Sequence, residues 1–483
     1  MGGHGPRAFY VQRIPLHRIT IPMKLCSGTA PHPLTRRAML QRAGAGFGAL
    51  ALNALLAKEA AAGSTPAFTR ARAKRVIFLF MHGGPSTLDL FDPKPLLVRD
   101  AGKPLPIAGP RIVSGAPGNL LGSPWSFQQH GASGAQVSEL LPHIASIVDD
   151  LCFVRSMRCS NSRHGGALLE LHTGSDTFTR PSMGSWINYG LGSENDNLPG
   201  FITINPSGSH GGAGAWSSAF LPARFSGTRI GGGAGGLQVP FIRSPLERPA
   251  DQRRELDLLA AFNNDHLARR GPDPELESRI ASYELAFRMQ REVPGVQDIS
   301  GEPDQIKKLY GADVDPTRSF AEQCLMARRF SEAGVRFVQV THRYWDSHSD
   351  LRKDHTRLAA EMDRPVAGLI SDLKQRGLLD DTLVLWGGEF GRTPTAQGND
   401  GRDHNPQGFT MFMAGGGIRA GTQFGNTDDY GYFAEENPVH YHDLHATILH
   451  LLGMDHEKLT YRYAGRDFRL TDVHGEIVTG ILA

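Results

Sequence analysis

The stretch that decides the fold is residues 76–81, VIFLFM, which leads directly into residues 82–95, HGGPSTLDLFDPKP. A continuous apolar run followed by a loop rich in glycine, proline and polar side chains is typical of a strand buried on both faces of a sheet. The same order returns at 151–156 (LCFVRS), 335–341 (VRFVQVT) and 382–386 (TLVLW). Each run again ends in a polar or glycine-rich segment, so four strands of one kind are predicted.

Helical patterns separate these runs, at residues 320–333, 356–376 and 442–452. Strands that alternate with helices imply an α/β fold, with a mainly parallel central sheet and helices on both of its faces. In such sheets ligands bind beyond the carboxyl ends of the strands. The polar segments that follow the four strands are therefore expected to gather at one edge and to form the functional site.

Length and composition narrow the class of protein. The 483 residues suffice for one large α/β domain with insertions, and 40% hydrophobic with 21% charged residues allow a substantial core. Lysine and arginine number 51 against 49 acidic residues, so no net field attracts nucleic acid, which we exclude as a partner. The four cysteines include no CxxC pair, which argues against a thiolate zinc cluster.

The N-terminal segment is typical of an export signal. Arg36 and Arg37 precede an apolar run at 43–57, and small residues follow at 60–63. The apolar run is too short to span a bilayer comfortably, so no stable membrane span is expected. The adjacent arginines resemble the twin-arginine (Tat) motif, which predicts recognition by the Tat export machinery and a periplasmic or otherwise extracytoplasmic location. An amphipathic helix that carries two arginines is the alternative.

The predicted organisation has two parts. Residues 1–63 form a Tat-type signal segment with an N-terminal extension, whose start is either Met1 or Met23, and residues 64–483 form one α/β domain. Within that domain, residues 205–292 interrupt the strand–helix order with glycine- and serine-rich loops and a pair of charged helices. We interpret this stretch as an insertion or cap, although a simple solvated face also explains the charged helices.

Acids and histidines cluster after the predicted strands. YWDSHSD follows the third strand, GGEFGR follows the fourth, and GRDHNP comes shortly afterwards. Carboxylate and imidazole ligands suit a divalent ion such as zinc, manganese, iron, magnesium or calcium better than copper(I). A polar turn would explain any one segment, but their recurrence after sequence-adjacent strands favours a metal site. The predicted ligands are Asp346, His348, Glu389, Asp403, His404 and His82, with Asp89 as a further candidate.

The segment CSNSRH follows the second strand and opens a predicted helix. A nucleophile at a helix N-terminus gains from free amide groups and from the positive end of the helix dipole. Cys159 is therefore predicted to mark the nucleophile position, while Ser160 and Ser162 are also eligible or merely cap the helix. His164 and Arg392 are predicted to hold an anionic substrate oxygen, Arg392 through its planar guanidinium group.

Taken together, HGGPSTLDLFDPKP, LHTG, WDSH, GGEFGRTP, GRDHNP and DLHATILHLLG resemble the DUF1501 family, which is often labelled sulfatase-like and is grouped with the alkaline phosphatase superfamily. The resemblance begins at about Arg75 and implies an alkaline phosphatase-like fold. It also implies metal-binding acids and histidines at strand ends, around a nucleophile at a helix start. Asp346 and His348 match an Asp…His metal-binding pair of the superfamily, and His404, with Asp403, matches its later histidine ligand.

Three positions depart from the pattern that the resemblance implies. Phe390, after Glu389, stands where the superfamily has the histidine of an Asp-His pair, and His82 stands where it has its first aspartate. CSNSR is similar to the sulfatase signature, but Asn161 replaces the proline, so an unmodified Cys159 is expected rather than formylglycine. A one-metal hydrolase, an altered two-metal hydrolase and a non-catalytic binder therefore all remain open.

The expected function is an exported, metal-dependent hydrolase of phosphate or sulfate esters. The metal would polarise the ester oxygen of an anionic small-molecule or polysaccharide substrate and would activate a side chain or a water. The alternative is a non-catalytic, metal-containing binding protein or pseudoenzyme. Such a protein would associate with a polysaccharide through the glycine-rich loops and aromatic side chains such as Trp216.

Overall fold

The computed structural model describes residues 71–108, 118–232, 237–240, 242–244, 248–271 and 273–483. The predicted signal segment at 1–63, which includes Arg36 and Arg37, lies outside the described residues. Within the described ranges, no helix is both long enough and apolar enough to cross a membrane.

Strands and helices alternate along the described chain. The strands are β1 (Arg75–Met81), β2 (Phe127–His130), β3 (Ala135–Ser138), β4 (Leu151–Arg158), β5 (Phe201–Ile204), β6 (Thr228–Ile230), β7 (Phe337–His342), β8 (Thr382–Gly387), β9 (Gly391–Gln397), β10 (Gly401–Asn405), β11 (Phe409–Ala414), β12 (Thr422–Phe424), β13 (Asn426–Thr427), β14 (Ala434–Glu436), β15 (Val439–His440), β16 (Tyr461–Tyr463) and β17 (Arg466–Phe468). The α-helices are α1 (Pro95–Arg99), α2 (Pro142–Ala145), α3 (His164–Thr173), α4 (Met183–Leu191), α5 (Pro249–Arg270), α6 (Pro274–Gln297), α7 (Asp304–Tyr310), α8 (Arg318–Glu332), α9 (Leu351–Gln375) and α10 (Tyr441–Leu451).

In the described part of the chain, nine strands form the central sheet, in the order β12–β4–β11–β8–β1–β7–β5–β6 with β15 beside β4. The pairings of β1 with β7 and β8, of β5 with β7 and β6, and of β4 with β12 and β15 are all parallel. Strand β11 is antiparallel to both of its neighbours, β4 and β8. The predicted fold class, an α/β fold with a mainly parallel central sheet, is confirmed.

The four apolar runs of the sequence are strands β1, β4, β7 and β8, as predicted. Along β1, Ile77, Leu79 and Met81 pack into one core cluster, and the alternate residues, such as Phe78 and Phe80, pack into a second one. The first cluster includes residues of α8 and α9, and the second includes residues of α3, α4 and α10. Both faces of the sheet are therefore covered. Each fully buried large apolar side chain contributes about 2 kcal/mol, which explains why apolar residues predominate in the runs.

The predicted helices 320–333, 356–376 and 442–452 are confirmed as α8, α9 and α10. Helix α9 begins five residues earlier than predicted, at Leu351. Leu351 and His355 are both buried, so the helix already packs in its first turn. The charged residues between them interrupt the apolar periodicity from which the start of a helix is predicted.

The two charged helices of the predicted insertion are α5 and α6. No residue of α5 is buried, whereas Met289 and Val293 of α6 join the core. Helix α6 ends at Gln297, five residues beyond the predicted boundary at 292. The outer helix is thus a solvated face, and the interpretation of residues 205–292 as a cap stays a prediction.

Because β1, β4, β7 and β8 run in the same direction, the polar segments that follow them lie along one edge of the sheet. The antiparallel hairpin of β9 and β10 lies between β8 and β11 in the chain. It brings residues 401–405 back towards the segment that follows β7, as the hydrogen bond from the amide of Arg402 to the carbonyl of Ser347 shows.

Candidate metal centre

The segment after β7 is held close to two neighbouring loops by glycines. Gly83 has a φ of 113°, and a Cβ there would lie 2.6 Å from the amide nitrogen of Asp346. A Cβ on Gly401 would collide with the backbone of His348. Only glycine permits both approaches, which set Asp346 and His348 against the loop after β1 and the hairpin.

Three imidazoles point their Nε2 atoms at the carboxylate of Asp346. The Nε2 atoms of His348 and His404 lie 2.8 Å and 3.2 Å from Asp346 Oδ1, and that of His164 lies 3.1 Å from Oδ2. One ligand atom from each of these four residues lies within 4.8 Å of all the others. In the described part of the chain, no other group of His, Cys, Asp and Glu side chains meets this criterion.

The Nδ1 atom of each imidazole, on the side of the ring away from Asp346, also makes a hydrogen bond. His164 Nδ1 donates to Glu389 Oε1 at 2.7 Å, and His404 Nδ1 donates to the carbonyl of Ser162 at 2.8 Å. His348 Nδ1 donates to the amide oxygen of Gln397. Since all three Nδ1 atoms meet acceptors, each neutral ring has its lone pair on Nε2, where a metal would bind.

The spacing of these atoms fits a metal ion. Ligands at metal bond lengths of about 2.0–2.1 Å in tetrahedral geometry lie about 3.3 Å from one another. The contacts of 2.8, 3.1 and 3.2 Å to Asp346 are close to that value. His164 Nε2 is buried and lacks a hydrogen-bond partner despite its 3.1 Å contact, because the angle is wrong for a hydrogen bond. Two ligands directed at a common point would show this geometry.

The charges of the site also favour a cation. Although burial raises it, the three histidines and Arg392 lower the pKa of Asp346 far below its usual range. Burial lowers the pKa of His164, but Asp346 and Glu389 outweigh this effect and raise that pKa to about 9. Asp346 is thus ionised, and a metal that replaces the Nε2 proton of His164 would likewise place positive charge beside it.

Apolar packing and a fourth histidine complete the surroundings. The ring of Phe390 stacks on His404 at a centroid distance of 4.4 Å and lies 4.9 Å from the ring of His164. The exposed ring of His210 lies 4.7 Å from that of His164. Phe390 therefore packs against two of the imidazoles from an apolar side, while Asp346, whose side chain is 37% exposed, keeps the centre open to solvent.

Glu389, Asp403 and His82 are not among the four members of the cluster, and their role as ligands stays a prediction. Both carboxylate oxygens of Glu389 accept the amide of Gly83, and Oε1 also accepts His164 Nδ1–H. Asp403 Oδ1 accepts the amide of His404, and Oδ2 is buried without a partner. His82 is buried, with an unpartnered Nε2 atom.

Asp89, a further candidate ligand, does not contribute to the cluster, because it is fully buried in an ion pair with Arg402. Arg402 Nε and one terminal nitrogen donate to the two carboxylate oxygens at 2.8 and 3.1 Å. Both side chains are 0% exposed. This pair ties the loop after β1 to β10, the strand that carries His404.

The sequence predicts Cys159 at a helix N-terminus. This prediction is wrong, because α3 begins only at His164. Its buried thiol contacts the carbonyls of Asn161 and Glu389 at 3.5 Å. Burial, with the negative charge of Glu170, raises the pKa of the thiol well above its usual range. The thiolate that a nucleophile requires is therefore strongly disfavoured.

The guanidinium group of Arg392 faces protein acceptors, and its role in holding a substrate anion stays a prediction. Its side chain is 0% exposed. Its guanidinium group donates to the carbonyls of Gly83, Gly84 and Arg402 and, at 2.7 Å, to Asp346 Oδ1. Arg392 thus positions the carboxylate of Asp346 instead of facing solvent.

Residues 73–482 match the family model described as "Protein of unknown function (DUF1501)". The chain belongs to the DUF1501 family. No curated protein matches the sequence of this DUF1501 protein.

Solved structures similar to this DUF1501 protein include a lipoteichoic acid synthase (LtaP) from Listeria monocytogenes, at 10% identity, a TM-score of 0.35 and coverage of 84% of this chain and 76% of the other. A phosphonate monoester hydrolase from Silicibacter pomeroyi has 14% identity, a TM-score of 0.34 and coverage of 65% and 68%. A sulfatase (PsFucS1) from Pseudoalteromonas sp. has 14% identity, a TM-score of 0.32 and coverage of 84% and 71%. Likenesses of this size carry no argument about function, which rests on the site itself.

In this DUF1501 protein, the role of His164 and the contribution of His210 were missed by sequence reasoning. His164 was assigned to substrate binding, yet its Nε2 atom joins the ligand cluster. The sequence offers a signal, since His164 follows the second strand just as the acid and histidine segments follow the third and fourth. His210 has no such signal, because it lies in a glycine- and serine-rich loop.

Glu389 supplies a prediction for this DUF1501 protein. Glu389→Gln is expected to lower the affinity for divalent metal by about 10–100-fold, because loss of a carboxylate that orients a ligating histidine typically has an effect of this size. Titration of metal-free protein with zinc measures the change. Glu170→Gln is the matched control, since Glu170 is also buried but contacts His440 and Ser160 instead of the cluster. Equal zinc affinity in the two variants would contradict the prediction.

Proposed function

We propose that this DUF1501 protein is a metal-dependent hydrolase of phosphate or sulfate esters. One observation carries the proposal: three imidazoles, each held at Nδ1 by a protein acceptor, direct their Nε2 atoms at the carboxylate of Asp346. Catalytic metals occupy sites of this kind, in which three histidines, oriented by hydrogen bonds at Nδ1, and one carboxylate are open to solvent.

The proposed ligands are His164, His348, His404 and Asp346. Three imidazole nitrogens with one carboxylate favour zinc, manganese or iron over magnesium and calcium, which prefer oxygen ligands. A metal bound there would polarise an ester oxygen and lower the pKa of a nearby water. We propose a single metal ion, since the described residues form one such group of ligands.

The chain's own residues have distinct tasks in this proposal. Glu389 orients His164, and Arg392 holds Asp346 in place. Because the buried thiol of Cys159 is kept neutral, we propose that a water attacks the phosphorus or sulfur atom directly. The bond from that atom to the ester oxygen breaks, the alcohol leaves with a proton from the water, and no covalent intermediate forms on the protein.

Metal analysis combined with an ester panel tests the proposal. Purified protein would be analysed for bound metal and then assayed with aryl phosphate, aryl sulfate and aryl phosphonate monoesters. We expect one metal ion per chain and hydrolysis of at least one ester, lost on chelation and restored by the same metal. Hydrolysis that persists after complete removal of metal would rule out the proposed function.

A metal-containing binding protein is the second candidate, and two observations favour it. The thiol of Cys159 is buried and neutral, and the guanidinium group of Arg392 is already engaged by protein acceptors. Two of the groups expected to act on a substrate are therefore unavailable. Stoichiometric metal without turnover of any ester in the panel would support this candidate.

Cys159 gives a prediction that separates attack by water from attack by a protein group. Cys159→Ala is expected to retain ester hydrolysis to within a few-fold, because the thiol lies behind Glu389 and contacts only backbone carbonyls. Peptide mass analysis of the wild-type protein is expected to show an unmodified cysteine. A loss of activity by several orders of magnitude, or a mass that fits formylglycine, would instead identify residue 159 as the nucleophile.

We also propose that the protein is exported by the Tat pathway and acts outside the cytoplasm. The proposal rests on Arg36 and Arg37 ahead of the apolar run at 43–57. Replacing both arginines with lysine is expected to leave precursor in the cytoplasm, as cell fractionation would measure. The matched control replaces Arg70 and Arg72, a pair beyond the apolar run, with lysine. Equal export of both variants would exclude the Tat route.

A further inference from the structure

A separate cavity of about 430 Å³ lies beyond the carboxyl ends of β5 and β7. Asn205 and Thr341 contribute from the ends of the two strands, Gln323 from α8, and Arg343 and Tyr344 from the loop after β7. Its volume falls within the range of about 300–1,000 Å³ that is usual for small-molecule sites. Nothing in the proposed metal centre accounts for it.

Polar atoms without partners line this cavity. The side-chain oxygens of Gln323 and Thr341 and the Nε atom of Arg343 are all buried, and none has a hydrogen-bond partner. Gln323 is 4% and Thr341 is 1% exposed, so bulk water does not replace the missing partners. Buried polar groups are normally paired, and leaving them unpaired costs stability. A ligand with hydroxyl groups, which both donate and accept, would satisfy all three.

An aromatic side chain stands at the mouth of the same cavity. Tyr344 is 70% exposed, which is unusual for so large an apolar surface, and its φ of 80° is unfavourable for any residue other than glycine. Asn205, on the other side, also has a positive φ, of 53°. Strain of this kind persists where function requires a particular side chain. An exposed tyrosine ring offers a flat face to an apolar ring surface of a ligand.

The ionisable side chains at the cavity include Arg343 and Glu361. A terminal nitrogen of Arg343 donates to the carbonyl and side-chain oxygens of Asn205, both at 3.0 Å. Glu361 pairs with His342 at 3.2 Å and with Arg357 at 2.8 Å. Glu361 is therefore balanced by basic partners, whereas Arg343 donates to neutral oxygens and offers the cavity a donor that a hydroxyl oxygen can accept.

The cavity adjoins the metal centre through shared segments. The amide of His82 donates to the carbonyl of His342 at 2.8 Å, and the carbonyl of His82 accepts the amide of Trp345 at 3.2 Å. The loop that begins at Asn205 reaches His210, whose ring lies 4.7 Å from that of His164. The cavity and the proposed metal centre are therefore connected through these two chain segments.

From these observations we infer that the cavity binds a neutral sugar ring of a glycan, with Tyr344 stacked on the ring and Gln323, Thr341 and Arg343 bonded to its hydroxyls. The proposed ester substrate is then a sulfated or phosphorylated glycan, and this part of the inference rests on the proposed function. Binding of the sugar ring itself does not require the metal.

Calorimetric titration with neutral hexasaccharides tests the inference. The probes are cellohexaose, laminarihexaose, mannohexaose and agarohexaose, none of which carries an ester. At least one is expected to bind at millimolar concentration or below. Tyr344→Gly is expected to weaken that binding by about tenfold, the value of one aromatic stacking contact. Tyr344→Phe keeps the ring and is expected to bind as the wild type does.

Two controls make the outcome decisive. Glycine relieves the positive φ, so the melting temperature of Tyr344→Gly should not fall, and weaker binding cannot be assigned to unfolding. Tyr283→Ala, which removes an exposed tyrosine of α6, should bind normally. Absence of binding to all four probes, or equal binding by Tyr344→Gly, would overturn the inference. Normal binding by His404→Ala, together with absent ester hydrolysis in the wild type, would contradict the proposed function alone.

Discussion

Alanine at Asp346 is expected to remove bound metal and ester hydrolysis together. The carboxylate is the common contact of the three Nε2 atoms, so its loss leaves three imidazoles with no anion between them. Substitution of residues that hydrogen-bond to metal ligands lowers metal affinity by about 10–100-fold. Removal of the central ligand should therefore lower the affinity by more than a hundredfold. Zinc titration of metal-free protein and assay with the best ester of the panel measure both effects.

Asp350→Ala is the matched control for this variant. Asp350 lies on the same segment, is exposed, and makes no capping hydrogen bond at the start of α9. It should retain metal and activity. Full metal occupancy in Asp346→Ala would show that the cluster of histidines is not the metal site.

The second large effect is on stability. Asp89→Ala is expected to lower the free energy of unfolding by about 3–5 kcal/mol, because it leaves the guanidinium group of Arg402 buried and unpaired. Denaturant unfolding of the described domain measures the change. The matched control is Asp381→Ala, which breaks the exposed pair with Lys74 and should cost less than about 1 kcal/mol.

A double variant distinguishes the two causes of that loss. Asp89→Leu combined with Arg402→Met removes both charges and should recover much of the stability, since an apolar pair of similar volume replaces the ion pair without desolvating a charge. If the double variant were as unstable as Asp89→Ala, packing around residue 89 would matter more than the unpaired charge.

Much of the fold could be predicted because its strands are local signals. β1, β4, β7 and β8 are buried on both faces, so apolar residues dominate them, although β4 and β7 also carry buried polar side chains such as Ser156 and Gln339. Their common direction then places the following segments at one edge, which is why Asp346, His348 and His404 were expected to approach one another. Strand β11 escaped prediction, because its pairing partners, β4 and β8, are fixed by long-range contacts.

The details of the site depended on backbone geometry that spacing does not reveal. Asp403 and His404 are adjacent on β10, where the register with β9 shifts between Arg402 and His404, and only His404 belongs to the cluster. The sequence suggested a loop there, in which both could turn inwards. Similarly, the guanidinium group of Arg392 is engaged by carbonyls of two backbone segments, Gly83–Gly84 and Arg402, that only the folded chain brings together.

The most direct test is anomalous diffraction from crystals of the protein, recorded across the zinc, iron and manganese absorption edges. We predict one peak per chain, bounded by the Nε2 atoms of His164, His348 and His404 and by an oxygen of Asp346, at distances of about 2.0–2.2 Å. A crystal supplied with these metals that shows no peak between the four residues, or a peak bound instead by Glu389 or Asp403, would contradict the assignment of the metal centre.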